Sequence, residues 1–339
     1  MTATAEPDLQ ALRARQLELV VRGDRNAALL EAGRALEAGL SLADFVFEVL
    51  APVQSQIGLL WQDGRITTEQ EHIATNIAEI LLTLAASRHT PANTGANLVL
   101  CLADRDHHNL PARMIAELLR LDGHRVTFLG APRPGPSLTT MLEKLRPDAV
   151  VLSCSLAMNL PGLRALADTA HESGIPVLGG GRGFDGEPAR ARRLGIDAHA
   201  AQLDEVEDAL ERMSGVAPAA ASAPSDRAQQ HDELAAARGP LVEELMERIR
   251  WRAEPLLPRP LRDPRILRDY TTNLMRFLEA AVLCDDRILA DYTAWLGARL
   301  ATLRASPALL PTILDITQER LALDTPIAAR TVARTRTSG

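Results

Sequence analysis

Apolar residues recur at spacings of three and four along the first quarter of the chain, which is the period of an amphipathic helix. The period is clearest in one run: Ile73, Ile77, Ile80, Leu81 and Leu84. The pattern predicts four helices over residues 8–90, with Ser41 and Thr67 standing where helix N-caps belong. Because the connections are short and contain glycine, we expect an antiparallel four-helix bundle.

From residue 97 the pattern changes to short apolar runs separated by helical stretches. The runs of strand length are Asn97–Leu102, Arg125–Leu129, Ala149–Ser153, Pro176–Leu178 and Ala198–Ala201. Helical periods lie between them at Ala112–Leu121, Leu138–Leu145 and Gly162–Glu172. This alternation predicts a doubly wound, flavodoxin-like, parallel five-stranded sheet with helices on both faces. Ligands of such folds bind beyond the carboxyl ends of the strands.

A segment rich in alanine, proline and serine follows the last predicted strand and has the composition of a linker. Helical periodicity resumes beyond it. The predicted fold class is therefore α/β plus all-α. The predicted domains are a helical-bundle cap at 8–92, a βα domain at 96–214, a linker at 215–230 and a C-terminal helical domain at 231–330.

Composition narrows the class of protein. The 339 residues carry 37 basic and 44 acidic side chains, and the net charge of −7 gives no general attraction for nucleic-acid phosphates. The 3 cysteines lie far apart, without the spacing of disulfides or zinc sites. Residues 1–8 lack an apolar signal core, and no run of about 18 apolar residues is present. We therefore expect a cytoplasmic protein that does not enter the membrane.

The loop after the first predicted strand carries an aspartate and a histidine two positions apart, Asp106 and His108. In an extended or turn segment both side chains can point the same way. An aspartate bonded to one imidazole nitrogen leaves the other nitrogen as a metal ligand. Two alternatives stay open: a solvated polar loop, and a weak zinc site of His107 and His108 that has no third ligand nearby.

This loop resembles the Asp-x-His-x-x-Gly signature of cobalamin-binding domains, in which the histidine is the lower axial ligand of cobalt. The resemblance continues through residues 112–138, although Pro111 stands where the family usually has glycine. It implies that the chain binds cobalamin, with Asp106 and His108 as cofactor-binding residues and His108 as the cobalt ligand.

Two later loops resemble the same family. Ser153 and Ser155 follow the third strand, where the family places a serine or threonine beside the cofactor's displaced nucleotide tail. Gly180 and Gly181 lie in the run Gly179–Gly183, which resembles the glycine loop against which that tail lies. Glycine suits a backbone that a ligand touches directly. Taken alone, a glycine run is typical of a turn, and no Gly-Lys-Ser/Thr follows to make a phosphate-binding loop.

The cap carries a second motif, with Trp61 ending the third helix and Glu71 and His72 opening the fourth. Read from the residues alone, Trp61 suits a core aromatic and Glu71 a helix-dipole residue. The spacing resembles the Trp-x9-Glu-His pattern of cobalamin-dependent light sensors, which implies that Trp61, Glu71 and His72 contact an upper adenosyl ligand, as in adenosylcobalamin. The light-sensing repressors have a histidine where this chain has Gln62. An amide is a poor cobalt ligand, which leaves His72 or water for the upper position after photolysis.

The C-terminal region holds half of the chain's aromatic residues: Trp251, Tyr270, Phe277, Tyr292 and Trp295. Such a set at helical spacing is typical of a core. The plan of cap, cobalamin domain and extra helices also resembles the photocobilins, which implies biliverdin as a second chromophore, with arginines such as Arg265, Arg268 and Arg276 available for its propionates or simply solvated. No histidine follows His231, so a haem would lack its usual ligand.

The predicted function is a cobalamin-dependent photoreceptor and not an enzyme. Light cleavage of the cobalt–carbon bond would change the cap or the oligomeric state, with a homo-oligomer or a signalling protein as partner. The alternative is a corrinoid methyl carrier of a methyltransferase system. A radical mutase does not fit, because its barrel needs about 250 residues. The chain begins with the cap and not with the winged helix of the light-sensing repressors, so we expect no direct DNA binding.

Overall fold

The computed structural model describes residues 8–103, 106–202, 205–213 and 225–337. The chain forms two compact units, one of Met1–Leu100 with His107–Phe128 and the other of Cys101–Asp106 with Leu129–Gly339. These two units do not coincide with the domains predicted from the sequence, and the predicted domain boundaries remain a prediction.

The first unit begins with the predicted bundle. Its helices are α1 Leu9–Val21, α2 Arg25–Glu37, α3 Leu42–Asp44, a π-helix Phe45–Leu50, α4 Ala51–Gln62 and α5 Thr68–Ala86. Because α3, the π-helix and α4 follow one another without a break, residues 8–90 hold the four predicted helical segments. Ser41 and Thr67 accept hydrogen bonds from the backbone of the first helical turns, as predicted for N-caps. Phe45 and Leu82 are fully buried in the bundle core.

The βα region continues with β1 Asn97–Leu102, α6 Asn109–Leu121 and β2 Arg125–Gly130. It goes on through these elements: α7 Pro136–Leu145, β3 Ala149–Ser153, α8 Leu160–Glu172, β4 Val177–Gly180, α9 Pro188–Arg193, β5 Ala198–Ala200 and α10 Val206–Met213. Each predicted strand is present, with ends that differ from the prediction by two residues at most. The short helices α9 and α10 were not predicted.

The strands form one sheet in the order β2-β1-β3-β4-β5. This is the flavodoxin-like order, and it confirms the predicted doubly wound fold. The order reverses between β1 and β3, which is where ligands of such sheets bind. Pairing of β3, β4 and β5 is parallel, with Ser153 opposite Gly180 and Gly180 opposite Ala200.

The C-terminal region is helical throughout its described part: α11 Asp226–Ala253, α12 Pro264–Leu283, α13 Arg287–Thr302, α14 Leu309–Leu321 and α15 Pro326–Thr337. Helix α11 begins at Asp226, where the Ser225 side chain caps it, and so takes in the last five residues of the segment 215–230 that the sequence predicts as a linker. Residues 214–224 lie outside the described part. The last helix ends at Thr337, beyond the predicted end at 330.

Helix α11 also runs through Pro240 without a break. A proline inside a helix removes one backbone hydrogen bond. Leu234 and Leu241, on either side of it, lie two turns apart on one buried face. Burial of that face keeps the helix continuous despite the proline.

Candidate functional site

The loop after β1 holds the predicted aspartate and histidine in contrasting environments. His108 is exposed and stands at the N-cap position of α6, where its side chain makes no capping hydrogen bond. Asp106 is only 2% exposed, and its backbone N–H donates to the Ala103 carbonyl. The exposed imidazole suits a ligand of a bound metal, whereas a buried carboxylate suits an orienting role.

The Asp106 carboxylate also affects the loop that follows β3. Burial raises the pKa of the Cys154 thiol well above its usual range, and the negative charge of Asp106 raises it further. Burial lowers the pKa of Arg276 on α12, while Asp106 acts in the opposite direction. Asp106 is therefore close enough to both residues to act on them electrostatically.

The loops after β3 and β4 interlock. Ser153 is 2% exposed and pairs with Gly180 in the sheet, whereas Ser155 is half-buried. The Cys154 N–H donates to the Gly180 carbonyl at 3.0 Å, and the Gly183 N–H donates to the Cys154 carbonyl at 2.9 Å. Ser153, Gly180 and Gly181 thus lie together at the carboxyl edge of the sheet, as the sequence predicted.

The reason for glycine at these positions differs from the one the sequence suggested. A Cβ on Gly180 would lie 2.9 Å from the Ala200 carbonyl oxygen, and one on Gly181 would lie 2.6 Å from the Cys154 carbonyl oxygen. Gly181 also has a φ of +102°. Close approach of the chain's own backbone therefore requires glycine here. A role in holding a nucleotide tail remains a prediction.

In the cap, the turn between α4 and α5 sets the position of Trp61. The Gly64 N–H donates to the Trp61 carbonyl and the Arg65 N–H to the Leu60 carbonyl, which is a Schellman motif with Gly64 in the left-handed region. The indole Nε1 of Trp61, which is half-buried, donates to the Thr68 Oγ1 at 3.2 Å. The last turn of α4 is thereby tied to the first turn of α5.

Glu71 lies one turn further along α5. Its carboxylate accepts from the Thr75 hydroxyl at 2.9 Å, and that hydroxyl also lies 3.2 Å from the Gln54 Oε1. One hydroxyl has one proton, and the Gln54 Nε2 is buried without a hydrogen-bond partner among the described residues. Rotating the Gln54 amide would let it donate to Thr75 while Thr75 donates to Glu71. His72 is 69% exposed, with its Nε2 at 3.6 Å from the Glu71 carboxylate.

These residues form one polar strip across two helices. We call it the α4–α5 strip: Gln54, Gly58 and Trp61 on α4, and Thr68, Glu71 and Thr75 on α5. Its members recur at spacings of three and four, so each row follows one helix face. A Cβ on Gly58 would meet no atom within 4 Å, which leaves open space on this face. The sequence motif indicated Trp61 and Glu71 but not Gln54, Thr68 and Thr75, which the three- and four-residue spacing along each helix would have indicated.

The C-terminal aromatic residues divide into a packed group and one exposed residue. Phe277 stacks on Tyr292 with ring centroids 4.0 Å apart, and Tyr292 stacks on Trp295 at 5.8 Å. Burial raises the pKa of Tyr292, which is 5% exposed. Trp251, by contrast, is 86% exposed. The stacked group has the character of a helical core.

The three candidate arginines of this region also differ. Arg276 donates to the Asn159 Oδ1 at 2.6 Å, and Arg268 forms an ion pair with Glu243. The Arg265 side chain is 91% exposed. Its Nε lies 3.6 Å from the Asp263 carboxylate, so all three arginines contact protein groups.

The described residues contain no cluster of three or more histidine, cysteine, aspartate or glutamate side chains arranged for a metal ion. Within the same residues, every helix is too short or too polar to span a bilayer.

The doubly wound sheet with an exposed histidine after β1, preceded in the chain by a four-helix bundle, agrees with the resemblance to cobalamin-binding domains. Comparison with protein families agrees. One family model, described as B12 binding domain, matches residues 97–213. A second family model with the same description matches residues 12–84. The βα region and the cap bundle of this chain therefore belong to the two B12-binding families.

Two curated proteins of Myxococcus xanthus are similar to this chain. The HTH-type transcriptional repressor CarH is 29% identical over 160 residues, which cover 46% of this chain and 53% of the repressor. The HTH-type transcriptional repressor CarA is 25% identical over 182 residues, covering 52% and 60%. The chain thus spans about half the length of the curated relatives it matches. These matches confirm the predicted relationship to the cobalamin-binding light-sensor family, and both relatives are repressors rather than enzymes.

A solved structure shares the fold. The monomethylamine corrinoid protein of Methanosarcina barkeri superposes with a TM-score of 0.52 at 19% identity, covering 60% of this chain and 99% of that chain. At this level of identity the likeness concerns the fold alone.

Proposed function

We propose that this chain is a cobalamin-dependent photoreceptor that binds adenosylcobalamin between an exposed histidine, His108, and the α4–α5 strip. The observation that carries the proposal is the Trp-x9-Glu-His pattern, whose tryptophan and glutamate both lie on that strip. The family matches over the cap and the βα region support cobalamin as the cofactor.

His108 is the lower ligand in this proposal. Its imidazole is exposed at the start of α6, while Asp106 is buried near Cys154 and Arg276. Asp106 acts as the group that fixes the imidazole tautomer and orientation. Ser153, Ser155, Gly180 and Gly181 line the site of the nucleotide tail.

Trp61 and Glu71 face the upper ligand. The indole offers a flat apolar surface for an adenine ring, and its orientation is fixed by the bond to Thr68. Glu71, ordered by Thr75, accepts hydrogen bonds from ribose hydroxyls or an amino group. His72, mostly exposed beside Glu71, is the group of this chain best placed to replace the histidine that the light-sensing repressors have at the position of Gln62.

Bound adenosylcobalamin supplies light-driven cleavage of its cobalt–carbon bond. The cap residues Trp61 and Glu71 then lose the group they contacted, and α4 and α5 settle into a second arrangement. A two-state cap of this kind biases oligomerisation or docking of a signalling protein. Homo-oligomer formation is part of this proposal.

Biliverdin is retained as a candidate second chromophore of the C-terminal helices. The stacked group of Phe277, Tyr292 and Trp295 offers aromatic surface, although Tyr292 is buried within it. Adding biliverdin to the purified protein tests this directly. A long-wavelength absorption band that survives desalting supports it, and cobalamin bands alone eliminate it.

The main test is an absorption spectrum of the protein with adenosylcobalamin, before and after green light, followed by gel filtration of both forms. We expect a light-dependent spectral change and a change in elution volume. Tight binding of methylcobalamin in preference to adenosylcobalamin would instead favour the corrinoid methyl carrier. Identical elution in the dark and after light would contradict the photoreceptor proposal.

A further inference from the structure

Arg190 on α9 is a buried arginine that joins two distant segments of the second unit. It is 2% exposed, and its Nη1 donates to the Gly183 carbonyl at 3.1 Å. Its Nε and Nη2 donate to the Asp285 carboxylate at 3.3 and 3.2 Å. Gly183 belongs to the glycine loop after β4, and Asp285 lies in the connection between α12 and α13. One guanidinium thus binds both segments at once.

The connection that holds Asp285 is itself tied to other C-terminal helices. Its neighbour Asp286 accepts from Arg227 of α11 at 2.7 Å and from Arg334 of α15 at 2.7 Å. Arg193 of α9 donates to the carbonyl of Cys284. Asp285 therefore lies at a junction of α11, α12, α13 and α15, and a displacement of Asp285 would displace this junction as well.

The glycine loop also contacts the loop that follows β3. Gly183 donates to the Cys154 carbonyl, so the loops after β3 and β4 move together. A second tie runs from the loop after β3, where Asn159 is 5% exposed and accepts from Arg276 of α12 at 2.6 Å. The two loops assigned to the nucleotide tail under the proposed function both contact the C-terminal helices.

A buried arginine cannot shed its charge, so separating Arg190 from Asp285 would leave the buried ion with the longer contact to the exposed Asp185 carboxylate, at 3.9 Å. Arg190 therefore couples the positions of Asp285 and Gly183, so that a displacement of one is transmitted to the other. Ion pairs among the described residues that join the βα region to the C-terminal helices include Arg164–Asp232, Arg190–Asp285 and Arg287–Glu187. The Arg190 pair is the most deeply buried of these, and Arg190 also contacts the glycine loop.

We propose that Arg190 is a coupling residue that transmits occupancy of the nucleotide-tail site to the junction of the C-terminal helices through Asp285. The proposal rests on the proposed function and adds the route by which the βα region and the C-terminal helices influence each other. Coupling is reciprocal: if cobalamin stabilises the junction, an intact junction strengthens cobalamin binding by the same factor.

Amide hydrogen exchange of the full chain, with and without adenosylcobalamin in the dark, tests the route in the natural protein. We expect cobalamin to slow exchange at residues 179–184 and also at residues 284–289, the latter by about tenfold. Slowing at 179–184 with none at 284–289 overturns the coupling and leaves the proposed function standing. No spectral change and no slowing anywhere would show that cobalamin does not bind, and both proposals would fall.

Asp285→Asn tests the coupling residue's partner. We expect cobalamin affinity to fall about tenfold, with slowing retained at 179–184 and lost at 284–289. The matched control is Asp232→Asn, because Asp232 of α11 also faces an arginine of the βα region, Arg164 of α8, at 3.7 Å, and it contacts the adjacent His231. Equal affinities for the two variants and the natural protein would contradict the proposal. The exchange measurement on the natural protein stands even if Asp285→Asn folds poorly.

Discussion

The indole Nε1 of Trp61 and the hydroxyl of Thr68 are joined by a hydrogen bond of 3.2 Å across the α4–α5 turn. Since the polar edge of the indole is used inside the cap, the ring can contribute mainly its flat surface to a ligand. Glu71, one turn further along α5, supplies a carboxylate on the same strip. The pair therefore suits a ligand with a flat base and a hydroxylated sugar more than it suits a methyl group.

Replacing Trp61 with alanine should reduce discrimination between cobalamins. An aromatic stacking contact is worth about 1 kcal/mol beyond burial, so we expect adenosylcobalamin affinity to fall about fivefold relative to methylcobalamin affinity. Spectral titration with both cobalamins measures this. Thr68→Val is the control, because it keeps the indole and removes only its anchor, and its effect should be smaller. An equal loss for both cobalamins would argue against an adenine-facing role.

The adjacent histidines after β1 offer a second matched pair of variants. Both His107 and His108 are exposed, but the resemblance assigns cobalt ligation to His108 alone. His108→Ala should weaken cobalamin binding about 10- to 100-fold and shift the bound spectrum towards that of cobalamin without a protein ligand. His107→Ala should leave both unchanged. A spectral change with His107→Ala and none with His108→Ala would reverse the assignment.

The sequence predicted elements better than it predicted contacts. Strands and bundle helices follow from periodicity, which is local, and so does the cluster of Ser153 and Gly180 at the carboxyl edge. The bond between Arg190 and Asp285 joins residues 95 positions apart, and no local pattern indicates it. The early start of α11 depended on Ser225, a cap signal hidden inside a stretch of linker composition.

The need for glycine at Gly181 also comes from a contact with another loop that no local pattern indicates, and it leads to a prediction about stability. Gly181→Ala should destabilise the protein by about 2 kcal/mol more than Gly135→Ala, measured as free energy of unfolding in urea. Both glycines have similar positive φ, +102° and +113°, but a Cβ at Gly135 meets no atom within 4 Å. The difference therefore isolates the 2.6 Å approach to the Cys154 carbonyl. Equal losses would mean that backbone strain alone requires glycine at Gly181.

Glu279 of α12 gives a prediction for pH. It is 3% exposed, its Oε2 accepts from Arg238 at 2.7 Å, and its Oε1 is buried without a hydrogen-bond partner among the described residues. Burial raises the pKa of this carboxyl above the usual 4.5, although Arg238 and Arg276 oppose the shift. The net effect is that the buried carboxylate is less stable in the folded protein than in the unfolded chain.

Between pH 4.5 and the raised pKa, the folded state binds more protons at Glu279 than the unfolded state does, so this group's contribution to stability falls as pH rises. Glu279→Gln cannot ionise and escapes that loss. We expect the free energy of unfolding of Glu279→Gln, relative to the natural protein, to increase as pH is raised from 4.5 towards neutrality. Urea unfolding at several pH values measures it. Arg238→Gln, which removes the paired cation, should raise the pKa of Glu279 further and so extend the loss to higher pH. A difference between Glu279→Gln and the natural protein that stays constant with pH would show that Glu279 ionises as easily in the fold as in the unfolded chain.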